Sequence, residues 1–170
     1  GINSSNDIKN LLKAGADKIS INTAAILNEN LIKETSEKFG SQCIVVAVDA
    51  KKYKNDWLVY SHGGTKNTNI NVLSWVERLQ KLGAGEILLT SMDRDGTKSG
   101  FDLDLLKKTT NLLSIPVIAS GGVGKLEHFE QGVSVGGASA LLAASVFHFS
   151  KFSIKDVKLF FKKNKILVRL

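Results

Sequence analysis

The spacing of the apolar runs constrains this chain more than any other feature. DKISI (17–21), CIVVAVD (43–49), EILLTS (86–91), PVIAS (116–120) and SALLAA (139–144) are continuous rather than alternating. A strand with one wet face alternates apolar and polar residues. An unbroken run is the pattern of a strand covered on both faces, as in a parallel sheet. Between the runs lie segments with helical spacing: Ile8, Leu11 and Leu12 after a possible cap at Asn6, then Leu31, Ile32 and Phe39 after Asn28, then Leu73, Val76 and Leu79. Gly15-Ala16, Gly40 and Gly83-Ala84 stand where such helices would stop. Strands and helices that alternate through short connections predict an α/β fold, either an open doubly wound sheet or a closed barrel.

An internal repeat favours the barrel. Gly1-Ile2, a helix, Gly15-Ala16-Asp17-Lys18, a strand and Asn22-Thr23-Ala24 recur as Gly122-Val123, a helix, Gly137-Ala138-Ser139-Ala140, a strand and Ala144-Ser145-Val146. The offset is about 120 residues, which suits two halves of four βα units each. Five runs are complete, whereas a (β/α)8 TIM barrel needs eight strands. The expectation is therefore one domain over 1–170, an incomplete (β/α)8 barrel running from the end of strand 3 to helix 8. About 80 residues carrying three strands would precede Gly1.

Composition excludes several alternatives. The single cysteine, Cys43, lies inside an apolar run, so it reads as a small buried hydrophobe with no disulfide framework. Nothing approaches the roughly 18 consecutive apolar residues of a membrane span, and the first residues lack a signal-peptide pattern, so a cytoplasmic protein is expected. The net charge of +7 comes from lysines spread along helical segments. Without basic-aromatic motifs it points to a solvated surface rather than to nucleic acid, and it suits an anionic substrate. His62, His128 and His148 share no metal-ligand spacing, and no metal is expected. Trp57 and Trp75 read as hairpin and helix packing groups.

In parallel barrels the chemistry sits at the C-terminal ends of the strands. Gly121-Gly122 at one strand end and Ala144-Ser145 at the next are small enough for backbone N–H groups to approach an anion, which predicts a phosphate cradle. The repeat predicts a second cradle at Gly1 with Asn22 and Thr23, and two cradles imply a ligand with two phosphates. A bulky residue at Gly122 should then hinder the anion, and should spare the unliganded fold if the φ there is negative. Asp49 ends an apolar run, where a carboxylate is costly unless it has a task; at a strand tip it can move protons, although capping the next loop is an equal alternative. The segment 91–100, SMDRDGTKSG, concentrates charges, glycines and hydroxyls in one loop that either binds polar groups or turns the chain.

Taken in order, VAVDAKK (46–52), LLTSMDRDGTKSG (88–100), IASGGVGK (118–125), AASVFHF (143–149) and VRL (168–170) resemble the cyclase subunit family of imidazole glycerol phosphate synthase, and the resemblance covers the whole chain. It implies attack of ammonia on a bisphosphorylated ribulosyl formimino carboxamide ribotide, followed by ring closure and cleavage. The products would be imidazole glycerol phosphate and an aminoimidazole carboxamide ribotide. The resemblance makes Asp49 a catalytic acid/base and Asp95 an auxiliary carboxylate, with a first catalytic aspartate on a strand that this sequence does not contain. It assigns Gly1, Asn22 and Thr23 to one phosphate and Gly96, Gly122, Ala144 and Ser145 to the other, and it implies no cofactor. It also implies a glutaminase partner that supplies ammonia at the opposite face, where Asp17, Lys18, Gln42 and Glu86 match, Lys18 and Glu86 belonging to a charged ring at the tunnel entrance.

Three other readings compete. The sister ribotide isomerase has a similar repeat and loop, but SHGGTKNT and the tail KILVRL are cyclase-like. A sugar-amidating paralogue shares the ammonia chemistry. A non-enzymatic alternative is an inactive, self-associating partial barrel, because open sheet edges invite pairing.

Overall fold

A computed structural model describes residues 1–169; Leu170, the last residue of the VRL motif, lies outside the described residues. The elements in chain order are helix α1 (Ser5–Lys13), strand β1 (Ile19–Ile21), α2 (Thr23–Leu27), α3 (Asn30–Phe39), a 3-10 turn (Ser41–Cys43), β2 (Ile44–Tyr53), β3 (Asp56–Ser61), β4 (Lys66–Asn71), α4 (Val72–Lys81), β5 (Glu86–Ser91), α5 (Leu103–Leu112), β6 (Val117–Ser120), α6 (Leu126–Ser134), β7 (Ala140–Leu142), α7 (Ser145–His148) and α8 (Ile154–Lys163). The five apolar runs are β1, β2, β5, β6 and β7, and they pair in parallel in that order. The α/β expectation holds. The sheet is that of a partial (β/α) barrel, and it is not closed.

Strand β2 outruns its parallel neighbours. Beyond Ala50 it carries an antiparallel hairpin, with Asp49–Tyr53 pairing against Asp56–Tyr60 of β3 and β3 pairing with β4. Trp57 makes this appendage part of the core. The residue is fully buried, its Nε1 donates to Oδ2 of Asp102 (3.0 Å), and the ammonium groups of Lys52 and Lys108 lie 3.8 and 4.9 Å from its ring centroid. Oδ1 of Asp102 caps α5 by accepting from the Leu105 N–H (3.1 Å). One carboxylate thus ties the hairpin to the helix that follows the 91–100 loop.

Two cap assignments shift. Helix α1 is capped by Ser4 rather than Asn6: Ser4 is extended, its hydroxyl accepts from the Asp7 N–H (3.2 Å), and Asp7 in turn accepts from the Ser4 N–H (3.0 Å). Asn28 ends α2, and α3 starts from Glu29 without a side-chain cap. The glycine stops stand where expected, with Gly15, Gly40 and Gly83 at φ of 103°, 90° and 98°.

The register sorts the parallel strands into two faces. Ile44, Val46, Val48 and Ala50 share one face with Ile19, Ile21, Ile87, Leu89, Val117 and Ala119, all buried, and helices pack over it. Ala47, Asp49, Leu88, Thr90, Ile118 and Ser120 point the other way and are half-buried. The catalytic candidates lie on this second face or at its upper rim.

Candidate active site at the strand ends

Asp49 stands in a row formed by the register. It pairs with Thr90, Thr90 with Ser120, and Ser120 with Leu142, so three polar side chains project from one face on adjacent strands about 4.8 Å apart. Oδ2 of Asp49 accepts from Nδ2 of Asn22 (2.9 Å), placed there by the turn into α2. Burial pushes the Asp49 carboxyl above the usual carboxylate range; the Asn22 hydrogen bond opposes this, and the negative charge of Asp95 adds to it. A carboxyl raised towards neutral pH is suited to moving protons. Asp49 faces the sheet row, and its hydrogen-bond partner among the described residues is Asn22 rather than the loop that follows β2.

The 91–100 loop is folded on itself. The N–H groups of Arg94 and Asp95 donate to the Ser91 carbonyl (3.1 and 2.9 Å), and that of Thr97 to Arg94 O (3.0 Å). The hydroxyl of Thr97 meets that of Ser99 at 2.7 Å, and Nη1 of Arg94 donates to Ser99 Oγ (3.1 Å). The Lys52 N–H donates to Asp93 (2.6 Å), and the Met92 N–H to the Ala50 carbonyl (2.8 Å), fastening the loop to β2. The outcome is that Asp95 lies close enough to Asp49 for the two charges to interact, while itself remaining exposed.

Beside Asp95 the ends of β6 and β7 enclose a pocket of about 150 Å³ lined by Asp95, Gly96, Lys98, Gly121, Gly122 and Ser145 among others. Gly96, Gly122, Ala144 and Ser145, expected to hold one phosphate, all reach it. Among the described residues, no protein acceptor takes the N–H groups of Gly122, Val123, Ala144 or Ser145. Free backbone donors at two adjacent strand ends, with Lys98 lining the same pocket, are groups that can bind an anion.

The glycines here also have a structural reason. Gly122 has φ of 98°, and a Cβ on it would stand 2.2 Å from the Gly100 carbonyl oxygen. The Gly100 N–H donates to Gly122 O (2.7 Å), so the two loops are in backbone contact. The expectation that a larger residue would spare the unliganded fold rested on a negative φ and is corrected: substitution at Gly122 strains the loop before any ligand arrives.

The other expected cradle is less assembled. Asn22 is engaged with Asp49, leaving its Oδ1 buried without a partner, and Thr23 Oγ1 accepts from the His62 N–H (2.9 Å). Among the described residues no hydrogen bond joins Gly1 to either; its carbonyl accepts from Asn3 (3.2 Å). At the opposite ends of the strands Lys18 and Glu86 form a salt bridge, with Asp17 and Gln42 exposed nearby at strand starts. No cluster of three or more metal-ligating side chains occurs among the described residues. Thr90 was missed by sequence reasoning, as was the pairing of Asn22 with Asp49. The first was legible in principle, because Thr90 shares the parity of Asp49 once the two runs are placed in register.

A family model described as "Histidine biosynthesis protein" matches residues 1–153. The chain belongs to this family. It is similar to the imidazole glycerol phosphate synthase subunit HisF of Hydrogenobaculum sp. (strain Y04AAS1), with 54% identity over 171 residues that take in all of this chain and 68% of that relative.

Proposed function

We propose that this chain provides the cyclase activity of imidazole glycerol phosphate synthase, a lyase step of histidine biosynthesis. The observation that carries the reading is the half-buried Asp49 carboxyl, raised by burial, in one mouth with Asp95 and a pocket of free backbone N–H donors. The donors at Gly122, Val123, Ala144 and Ser145 bind one phosphate of a bisphosphorylated ribotide, with Gly96 and Lys98 beside it. Thr23 and Gly1 lie towards the other phosphate, and Asn22 bridges that side to Asp49. Held at both ends, the substrate has its reacting carbons over the Asp49, Thr90 and Ser120 row.

In this scheme ammonia adds to the ketose carbonyl, and water is lost as the imine forms. Asp49 and Asp95 exchange protons with the substrate oxygen and nitrogen through closure and cleavage. The half-buried Asp49, raised by burial, holds a proton more readily than an ordinary carboxylate, which such a sequence of transfers can use. The Lys18–Glu86 face at the opposite end of the sheet is where a glutaminase subunit would deliver ammonia. On this reading the protein is cytoplasmic. No helix among the described residues is long and apolar enough to cross a membrane.

The test is Asp49→Asn in the natural protein, assayed with ammonium salt so that no glutaminase is needed. Binding of the bisphosphorylated substrate should survive, because asparagine keeps the size and an acceptor for Asn22, while kcat should fall by roughly 10²–10⁴-fold. A variant that turns over free ammonia at the parent rate would make Asp49 structural and leave Asp95 to carry the proton transfers.

A further inference from the structure

Gly124 lies two residues beyond Gly122 of the anion pocket and is gripped by three different segments. Its N–H donates to Nδ1 of His128 (3.1 Å), in the first turn of α6. Its carbonyl accepts from the Lys151 ammonium (2.6 Å), which comes from the segment between α7 and α8. Its Cα lies against the 91–100 loop so tightly that a Cβ would stand 2.5 Å from the Lys98 carbonyl oxygen. The His128 ring covers the same loop, 3.5 Å from where a Cβ on Gly100 would be. Residues 121–124 are therefore a bridge of buried backbone, wedged on one side by the 91–100 loop and fastened on the other by one imidazole and one ammonium.

The hydrogen bonds along this bridge divide its donors into two kinds. The N–H groups of Gly122 and Val123 have no protein acceptor among the described residues, while that of Gly124 is taken by His128. Donors meant for a ligand are useful only if the peptides carrying them are held in place beforehand, since ordering them at the moment of binding costs affinity. We infer that His128 is a positioning residue for the anion pocket: by accepting the Gly124 N–H it fixes the rotation of the 121–124 backbone and so aims the Gly122 and Val123 donors at the bound phosphate.

The arrangement demands a particular form of the ring. Nδ1 accepts only when it carries no proton, so His128 must be neutral with its hydrogen on Nε2. Burial, joined by the charges of Lys125 and Lys151 and opposed by Glu127, holds its pKa below the ordinary histidine value and favours that form. Lys151 cannot replace His128, because it reaches the carbonyl of Gly124 and not its N–H.

This inference rests on the reading of the pocket as a phosphate site, and the two can be separated with inorganic phosphate as the probe. In the parent protein, phosphate titration should produce saturable shifts of the Gly122, Val123 and Ser145 amide resonances; their absence would defeat the phosphate reading itself. Given those shifts, His128→Phe, which keeps a ring of similar size but has no acceptor, should weaken phosphate affinity about tenfold, equivalent to about 1.4 kcal/mol. His128→Asn, whose Oδ1 can take the place of Nδ1, should restore most of it. In turnover the Phe variant should raise KM more than it lowers kcat, because Asp49 is untouched. Parent-like phosphate affinity in His128→Phe would overturn the inference. So would equal weakening in the Phe and Asn variants, since loss of ring packing alone would then explain both.

Discussion

The two faces of the parallel sheet are built from the same apolar runs and behave differently. On the face that packs under the helices, Ile44, Val46, Val48 and Ile87 are at 0% exposure. On the other, Leu142 is 42% exposed, and Leu88 and Ile118 are only half-covered. The first face supplies the folding free energy, because each buried aliphatic group removes apolar surface from water and fills space that nothing else fills. The second carries Asp49, Thr90 and Ser120 and is turned away from the helices. A partly solvated carboxylate costs far less than one sealed in the core, yet enough desolvation remains to raise its pKa. The polar side chains thus stand on the face that the register turns away from the helices.

Neighbouring residues on one strand give the largest test of this contrast. Ile87→Ala on the covered face should cost about 2–5 kcal/mol in urea unfolding, the range for deleting a buried aliphatic side chain. Leu88→Ala on the open face should cost about 1 kcal/mol or less. Equal losses at the two positions would mean that the open face is covered in solution and that the distinction fails.

A smaller difference is expected between two glycines of the pocket beside Asp95. Gly96 has φ of 75° and open space within 4 Å of where a Cβ would stand, whereas Gly122 combines φ of 98° with the close approach of Gly100 O. Gly96→Ala should therefore cost only the left-handed backbone penalty of about 1–2 kcal/mol. Gly122→Ala should add overpacking of about 1–3 kcal/mol to a similar penalty. Thermal unfolding without ligand would show this ranking; a Gly122→Ala variant as stable as Gly96→Ala would dissolve the claim that the two loops are in rigid contact.

The smallest effect is a dependence on pH. A carboxyl raised by burial is disfavoured when ionised, so the contribution of Asp49 to stability is complete below the unfolded carboxylate pKa of about 3.9 and is lost as pH rises through its higher folded value. Asp49→Asn cannot ionise. Its unfolding midpoint relative to the parent should therefore improve from about pH 4 to pH 7. A constant gap over that interval would show that Asp49 is solvated like an ordinary surface carboxylate and that the open face carries no desolvation.

The sequence by itself determined the strand runs, their parallel α/β arrangement and the identity of the pocket residues at the ends of β6 and β7. Those features follow from local pattern: unbroken apolar runs, helix-stopping glycines, and a repeat that brings Gly122 and Ala144-Ser145 to neighbouring strand tips. Helix starts were less legible, since Ser4 displaced Asn6 through a reciprocal bond with Asp7 that depends on the angle at which the chain enters α1. Only the tertiary structure decided which half of each run faces the helices, because a run apolar throughout carries no alternation to mark its faces, and the register alone aligns Asp49 with Thr90 and Ser120. It also decided the partners of Asn22, the positive φ that makes Gly122 a packing glycine, and the placement of His128 on the Gly124 N–H. Each of these is a contact set by how separate elements meet, or a backbone angle imposed by such a contact. Spacing along a sequence records which residues can share a helix or a strand, and distances across a fold arise only when those elements pack.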